Sequence, residues 1–453
     1  MSQHFLEYFC CPETYAQFEI GGALSAHPGF FRWGRDTLCY GRTRDGHGAS
    51  RTDAALCDMQ NELDLCRSLS RLPFDPEEVV ENLQRERYCA ESREKGRLDS
   101  LLLRRVYYFL RPYLLLPIRK RLQRVYLGRW EKIPFPHWPV DCTVDRIHRK
   151  RFALAMREHG VDTVPFIWFW PDNYTSCAIL THDVEAKAGK MFCSSLMDLD
   201  ESYGFNSSFQ IIPEARYSVP STYLQLITNR GFEVNVHDLT HDGRLYVDHG
   251  EFLRRAKRIN EYARQFGAMG FRSGALYRNA DWYDAFEFVY DMSIPDVAHL
   301  DPQRGGCCTV MPYFIGNMIE LPLTCMQDYT IFHILRDYSI ELWKWQIQTI
   351  TSHCGLVSIL VHPDYIIEPR GRKVYRDLLQ YLGEVRDKNH MWTPLPRDVA
   401  IWWRQRRQMQ LVWDKGKWRV EGPGSERARI AYACADDNDV TYRLEGESVL
   451  AER

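Results

Sequence analysis

For more than 200 of its 453 residues the chain alternates apolar stretches of strand length with amphipathic stretches of helix length. The strand candidates are TVPFIWFW, SCAILTHDVE, GFNSSFQII, FEVNVHD, MGFRSG, EFVYDMS, MIELPLT and LVSILVHP. Between them run YLQLITNR, EFLRRAKRINEYARQFG, TIFHILRDYSIELWKWQIQTITSHCG and YRDLLQYLGEVRDK. Parallel strands need long crossovers, and helical crossovers cover both faces of a sheet, which is why the strands read as nearly continuous apolar runs. The pattern therefore predicts an α/β fold with a parallel sheet, either doubly wound or closed into a barrel. Both arrangements place functional groups at the carboxyl ends of the strands.

That is where the conspicuous polar residues fall. Asp183 and Glu185 end CAILTHDVE, His237 ends FEVNV, Arg272 ends MGFR, and His362 ends SILV. His237 and His241 stand four apart in HDLTH, so a helical turn starting there would project both imidazoles from one face. With Glu185 they would form a two-histidine, one-carboxylate set that leaves positions open for water and substrate. Each residue also has a plainer reading: Asp183 as a helix N-cap, the histidines as surface residues, Arg272 as an ion-pair partner, His362-Pro363 as a turn.

These segments together resemble the NodB-type polysaccharide deacetylases, the carbohydrate esterase family 4-like proteins, over roughly residues 165 to 400. THDVE (181–185) resembles the first motif of that family, HDLTH (237–241) the second, GFRSGALY (270–277) the third and ILVHP (359–363) the fifth. The fourth matches two segments: ELPLTCMQDY (320–329), which we favour and which offers Asp328, and YDMSIPD (290–296), which offers Asp296. Glu185 stands where aspartate is more usual, and Ser273-Gly274 where a proline is usual.

The resemblance implies a distorted (β/α) barrel and a divalent ion, most often zinc, held by Glu185, His237 and His241. It implies Asp183 as general base steadied by Arg272, His362 as acid oriented by Asp328 or Asp296, and the backbone N–H of Ala275 as an oxyanion donor. The expected reaction is removal of the N-acetyl group of a sugar, oligosaccharide or lipid-linked glycan in polysaccharide synthesis. Hydrolysis of another C–N bond, such as a formamide or cyclic amide, and non-catalytic glycan binding are the alternatives.

On this reading residues 161–407 form the barrel, 1–160 an N-terminal α/β extension and 408–453 a small β appendage. Within the extension, residues 52–88 read as two helices. Residues 101–132 interleave Leu, Tyr and Phe with many Arg and Lys, a pattern that suits peripheral contact with an anionic membrane face and equally a helix pair packed on the barrel. Trp392 could flank a sugar cleft; Asp242 and Tyr246 could shape one. His182, His249, His353 and the Cys307-Cys308 pair read as solvated or core residues.

Composition narrows the remaining classes. A formal charge of −2 gives no electrostatic footprint for nucleic acid. The fourteen cysteines are scattered without metal-site spacing, which fits a reducing compartment. MSQHFLEYFCCPETY lacks the pattern of a secretory signal, so cytoplasmic residence is the expectation.

Overall fold

A computed structural model describes residues 3–44, 46–60, 71–89, 127–128 and 130–446. The N-terminal part supplies α1 (Gln3–Phe9), the short strands β1 (Glu19–Ile20), β2 (Gly29–Arg32), β3 (Leu38–Gly41) and β4 (Arg71–Leu72), and the helices α2 (Pro76–Gln84) and α3 (Thr143–Glu158). Asp75 caps α2 by accepting from the Glu77 N–H, and Pro76 occupies the first turn, where no N–H is needed.

The main sheet contains β6 (Ser176–Val184), β7 (Ser208–Ile211), β8 (Glu233–His237), β9 (Gly270–Arg272), β10 (Tyr290–Asp291), β11 (Tyr313–Ile315), β12 (Met318–Glu320), β13 (Leu356–Leu360) and β14 (Met391–Trp392). Its order is β11-β12-β10-β9-β8-β7-β6-β13, with β14 beside the start of β6; every pair is parallel except β11–β12. The sheet curls until its far side meets β13 without a further ladder. Cys325 N–H donates to the Ser358 carbonyl at 3.1 Å, and the Thr324 hydroxyl bridges the Leu356 carbonyl (2.7 Å) and the Ser358 N–H (2.9 Å). The result is a curled half-barrel sheet whose open side is bridged partly by a side chain.

Period-two alternation sorts the strand residues. On β6 and β13, Ala178, Leu180, Val184, Val357, Ile359 and Val361 face outward into one apolar cluster with α4 (Lys187–Ser202) and α8 (Pro369–Asn389). The intervening residues face inward, and so Thr181, Asp183, Ser358, Leu360 and His362 share the interior. Below them the interior is filled by polar groups that satisfy one another: Asn235 donates to the Ser208 (2.7 Å) and Tyr290 (2.6 Å) hydroxyls, and Tyr290 donates to Glu233 at 2.6 Å. Gly270 makes room for this, since a Cβ there would sit 2.2 Å from the Tyr290 ring.

Four sequence expectations are corrected. TVPFIWFW does not join the barrel sheet: β5 (Thr163–Ile167) pairs antiparallel with β17 (Ile430–Asp436), which pairs with β18 (Asp439–Leu444). The buried Arg406 guanidinium helps to hold β5 there, binding the carbonyls of Ile167, Trp168 and Tyr8. TIFHILRDYSIELWKWQIQTITSHCG is not one helix; the chain breaks at Arg336, which is left-handed (φ 60°), before α7 (Glu341–Ser352). Thr52–Asp58 forms turns rather than a helix, while residues 61–70 lie outside the described residues. Trp392 pairs with Cys177 at the start of β6, the end opposite Asp183, so it does not flank a cleft at the strand ends.

The tail also contributes the hairpin β15 (Gln410–Asp414) and β16 (Lys417–Glu421). Of the basic segment 101–132, residues 101–126 and 129 lie outside the described residues. Among the described residues no helix is long and apolar enough to cross a membrane.

Burial pushes the Glu233 carboxyl from 4.5 up to about 7, against the hydrogen bonds it accepts. It is protonated in the folded chain and ionised in the unfolded chain between those values. Its stabilising contribution is therefore complete below pH 4.5 and is lost as the pH rises through about 7, a loss of about 3 kcal/mol. Denaturant titrations should show wild type losing stability relative to Glu233→Gln over this window; a constant difference between the two would contradict the assignment.

Candidate active site

The inward face of β6 delivers Asp183, whose Oδ1 accepts from Arg272 Nη1 at 2.9 Å. The same Nη1 binds the Thr181 hydroxyl (2.8 Å) and Nε the Met292 carbonyl (3.0 Å), fixing a guanidinium that is fully buried. Burial alone would raise the Asp183 carboxyl. Arg272, with His237 and His362 nearby, more than offsets it and holds the group below its usual range.

His237 ends β8 pointing inward, and its Nδ1–H donates to the Arg272 carbonyl at 3.0 Å. That bond fixes the tautomer and presents the Nε2 lone pair to the interior. The expected helical turn at HDLTH is absent. Asp238 N–H still pairs with the Arg272 carbonyl (2.9 Å), and left-handed backbone at Asp238 (φ 56°) and His241 (φ 52°) folds the chain back. The two imidazoles converge by this reversal, their centroids 4.9 Å apart.

Gly274 permits the approach, because a Cβ there would lie 2.5 Å from Asp238 Oδ2 and 2.9 Å from His241 Cδ2. This is a reason for the Ser273-Gly274 departure from proline. Arg216 supports the loop from the other side, donating to the His241 carbonyl at 2.6 Å.

Glu185 completes the group. One donor atom each from Glu185, His237 and His241 lies within 4.8 Å of the others, and neither buried histidine Nε2 has a hydrogen-bond partner outside this group. Glu185 Oε1 is 2.8 Å from His241 Nε2 and 3.8 Å from His237 Nε2. Burial would raise its carboxyl, but His241, then His237 and His362, hold it well below the usual range. Two imidazole nitrogens and a carboxylate, orphaned and converging, could hold a zinc-like divalent cation with positions left open.

His362 follows β13. Its Nδ1 meets Asp328 Oδ1 at 2.6 Å and its backbone N–H donates to Oδ2 at 2.8 Å, so one fully buried carboxylate grips both ring and main chain. Nε2 points back to the group, 3.5 Å from Glu185. Asp296 is engaged elsewhere, accepting from the Asp141 N–H at 2.9 Å. Tyr365 flanks the His362 ring with centroids 4.9 Å apart.

Several residues take the plainer readings. Cys307 and Cys308 are buried, and burial pushes both thiols well up. His182 is a core residue bonded to the Val361 carbonyl and to Asp200. Asp242 is paired with Arg255. Arg216 and Tyr217, whose hydroxyl donates to the Val184 carbonyl, were not singled out in the sequence; neither sits in a motif or at a strand end.

No family model and no curated protein matches the chain. Solved structures do. A Mycobacterium smegmatis protein assigned as a polysaccharide deacetylase is 18% identical at a TM-score of 0.42, covering 52% of this chain and 92% of that one. Puue allantoinase is 11% identical at 0.41, with coverage of 52% and 92%. A CE4 family pseudoenzyme from Bacillus anthracis is 13% identical at 0.33, with coverage of 51% and 66%. Each of these likenesses covers about half of this chain. What each of those proteins binds or hydrolyses is its own property, and the chemistry here follows from the side chains just described.

Burial would lower the His362 imidazole, yet Asp328 and then Glu185 raise it well above its usual value. Replacing Asp328 by Asn removes the larger opposing charge, so the ring should titrate lower. NMR titration of metal-free protein checks this, and an unchanged midpoint would contradict it.

Proposed function

We propose that the chain is a divalent-metal-dependent deacetylase acting on the N-acetyl group of a sugar, oligosaccharide or lipid-linked glycan precursor. The observation that carries this is the convergence, on one interior face, of an arginine-bound carboxylate, an orphaned two-histidine, one-carboxylate group and a carboxylate-bound histidine. Hydrolysis of an amide needs a base for water, stabilisation of the oxyanion and an acid for the departing amine.

Glu185, His237 and His241 would hold the cation, which when bound supplies Lewis-acid polarisation and a more acidic water. Asp183, ionised at neutral pH because Arg272 opposes the effect of burial, accepts the proton of the attacking water. Arg272 also fixes the direction of that carboxylate through its bonds to Thr181 and Met292. His362, kept protonated by Asp328, donates to the amine nitrogen as the C–N bond breaks. The Ala275 N–H, in a turn held left-handed at φ 54°, is the chain's donor toward the oxyanion.

The test is acetate release from N-acetylated chito-oligosaccharides by metal-loaded protein. Asp183→Asn and His362→Ala should each lower kcat by roughly 10²- to 10⁴-fold, the range for loss of a general base or acid. A parallel panel of N-formyl and cyclic amide substrates separates deacetylation from other C–N hydrolysis. Absence of acetate from every acetylated substrate, with the cation in place, would sink the proposal.

A further inference from the structure

Glu86 and Arg278 form a fully buried ion pair between the N-terminal part and the turn that follows β9; their side chains are 3% and 0% exposed and 192 residues apart. Arg278 Nε donates to Glu86 Oε2 at 2.8 Å and Nη2 to Oε1, a two-pronged contact. Its remaining nitrogen, Nη1, donates to the Leu276 carbonyl at 2.8 Å and reaches the Gln303 carbonyl at 3.4 Å. Gln303 returns two bonds to the Arg278 backbone, one to its N–H (3.1 Å) and one to its carbonyl (3.0 Å).

Both ends of the pair are built for it. Glu86 stands just past α2 in left-handed backbone (φ 56°), and its Oε1 also accepts the Gly306 N–H at 2.7 Å. Gly305, at φ 136°, leaves room for the carboxylate, since a Cβ there would lie 2.3 Å from Oε1. At the other end, Ala275 (φ 54°) and Leu276 (φ 53°) are non-glycine residues held in left-handed backbone, an arrangement that persists only where surroundings over-determine it. Gly274 presses against His241 at the start of the same turn, and Leu276 packs with Leu323 and Leu360, the latter two residues before His362.

We propose that Glu86 and Arg278 are positioning residues that brace the 274–276 turn against His241, so that the N-terminal part completes the site from outside the barrel. The catalytic half of this inference rests on the deacetylase reading. A brace acting on an oxyanion donor is felt in the transition state, so its loss lowers kcat and leaves KM nearly unchanged.

The test uses the full chain. Glu86→Gln alone would strand a buried guanidinium and could unfold the protein, so the informative variant is Glu86→Leu/Arg278→Met, which removes both charges together. Arg278→Lys is the second variant: it keeps the charge but lacks the planar fork that serves Glu86 and Leu276 at once. Both should retain the wild-type metal content. In both, hydrogen exchange of peptides covering 274–279 should accelerate at least about 10-fold while peptides from α6 (His249–Phe266) are unchanged, and kcat should fall, by about 100-fold in the double variant, with KM within about twofold.

Unchanged exchange at 274–279 overturns the brace. Faster exchange with unchanged kcat, in a wild type that releases acetate, overturns the positioning role. Faster exchange in a protein whose wild type releases no acetate leaves the brace standing and removes the deacetylase reading instead.

Discussion

The Asp183–Arg272 pair links strands that are not neighbours. In sheet order β6 and β9 are separated by β7 and β8, which in a flat sheet would place them about 14 Å apart. A hydrogen bond of 2.9 Å between their inward side chains therefore requires the sheet to curl into a barrel. The small and polar layer beneath, with Gly270 opposite Tyr290 and Asn235 bonded to Ser208, lets the walls approach. Separating the pair would strand a buried charge at a cost of about 3–5 kcal/mol. Curvature and charge pairing thus sustain each other.

Around this pair, identical imidazole rings acquire different roles from what their Nδ1 atoms face. His237 donates to a neutral backbone carbonyl, an arrangement that leaves its Nε2 lone pair for a cation. His362 donates to a carboxylate, which favours the protonated ring and suits an acid. The carboxylates are differentiated in the same way: Asp183 is committed to Arg272, Asp328 to His362, and Glu185, 23% exposed, faces the orphaned histidine nitrogens. On the proposed reading, base, ligand and acid are thus distinguished by their neighbours.

Much of this was legible in the sequence because it depends on local periodicity. Apolar runs ending in Asp183, His237, Arg272 and His362 follow from strands buried on both faces, and period two carries those residues inward. What was not legible depends on distant chain. The reversal at HDLTH depends on Gly274 packing beneath it, and the placement of β5 on a tail strand, β17, some 260 residues later. That Asp328 rather than Asp296 reaches His362 depends on tertiary placement, and no spacing rule encodes that. Glu86, in an extension without a motif, offered no sequence signal at all.

On the proposed reading Glu185, His237 and His241 bind a divalent cation beside Asp183. Elemental analysis of purified protein, comparing wild type with the His237→Ala/His241→Ala variant, tests it most directly. Near-stoichiometric metal is expected in wild type and its loss in the variant, with the fold retained by circular dichroism. A wild type that takes up no metal after reconstitution with divalent ions, or a variant that keeps it, would rule out a cation held by these three residues.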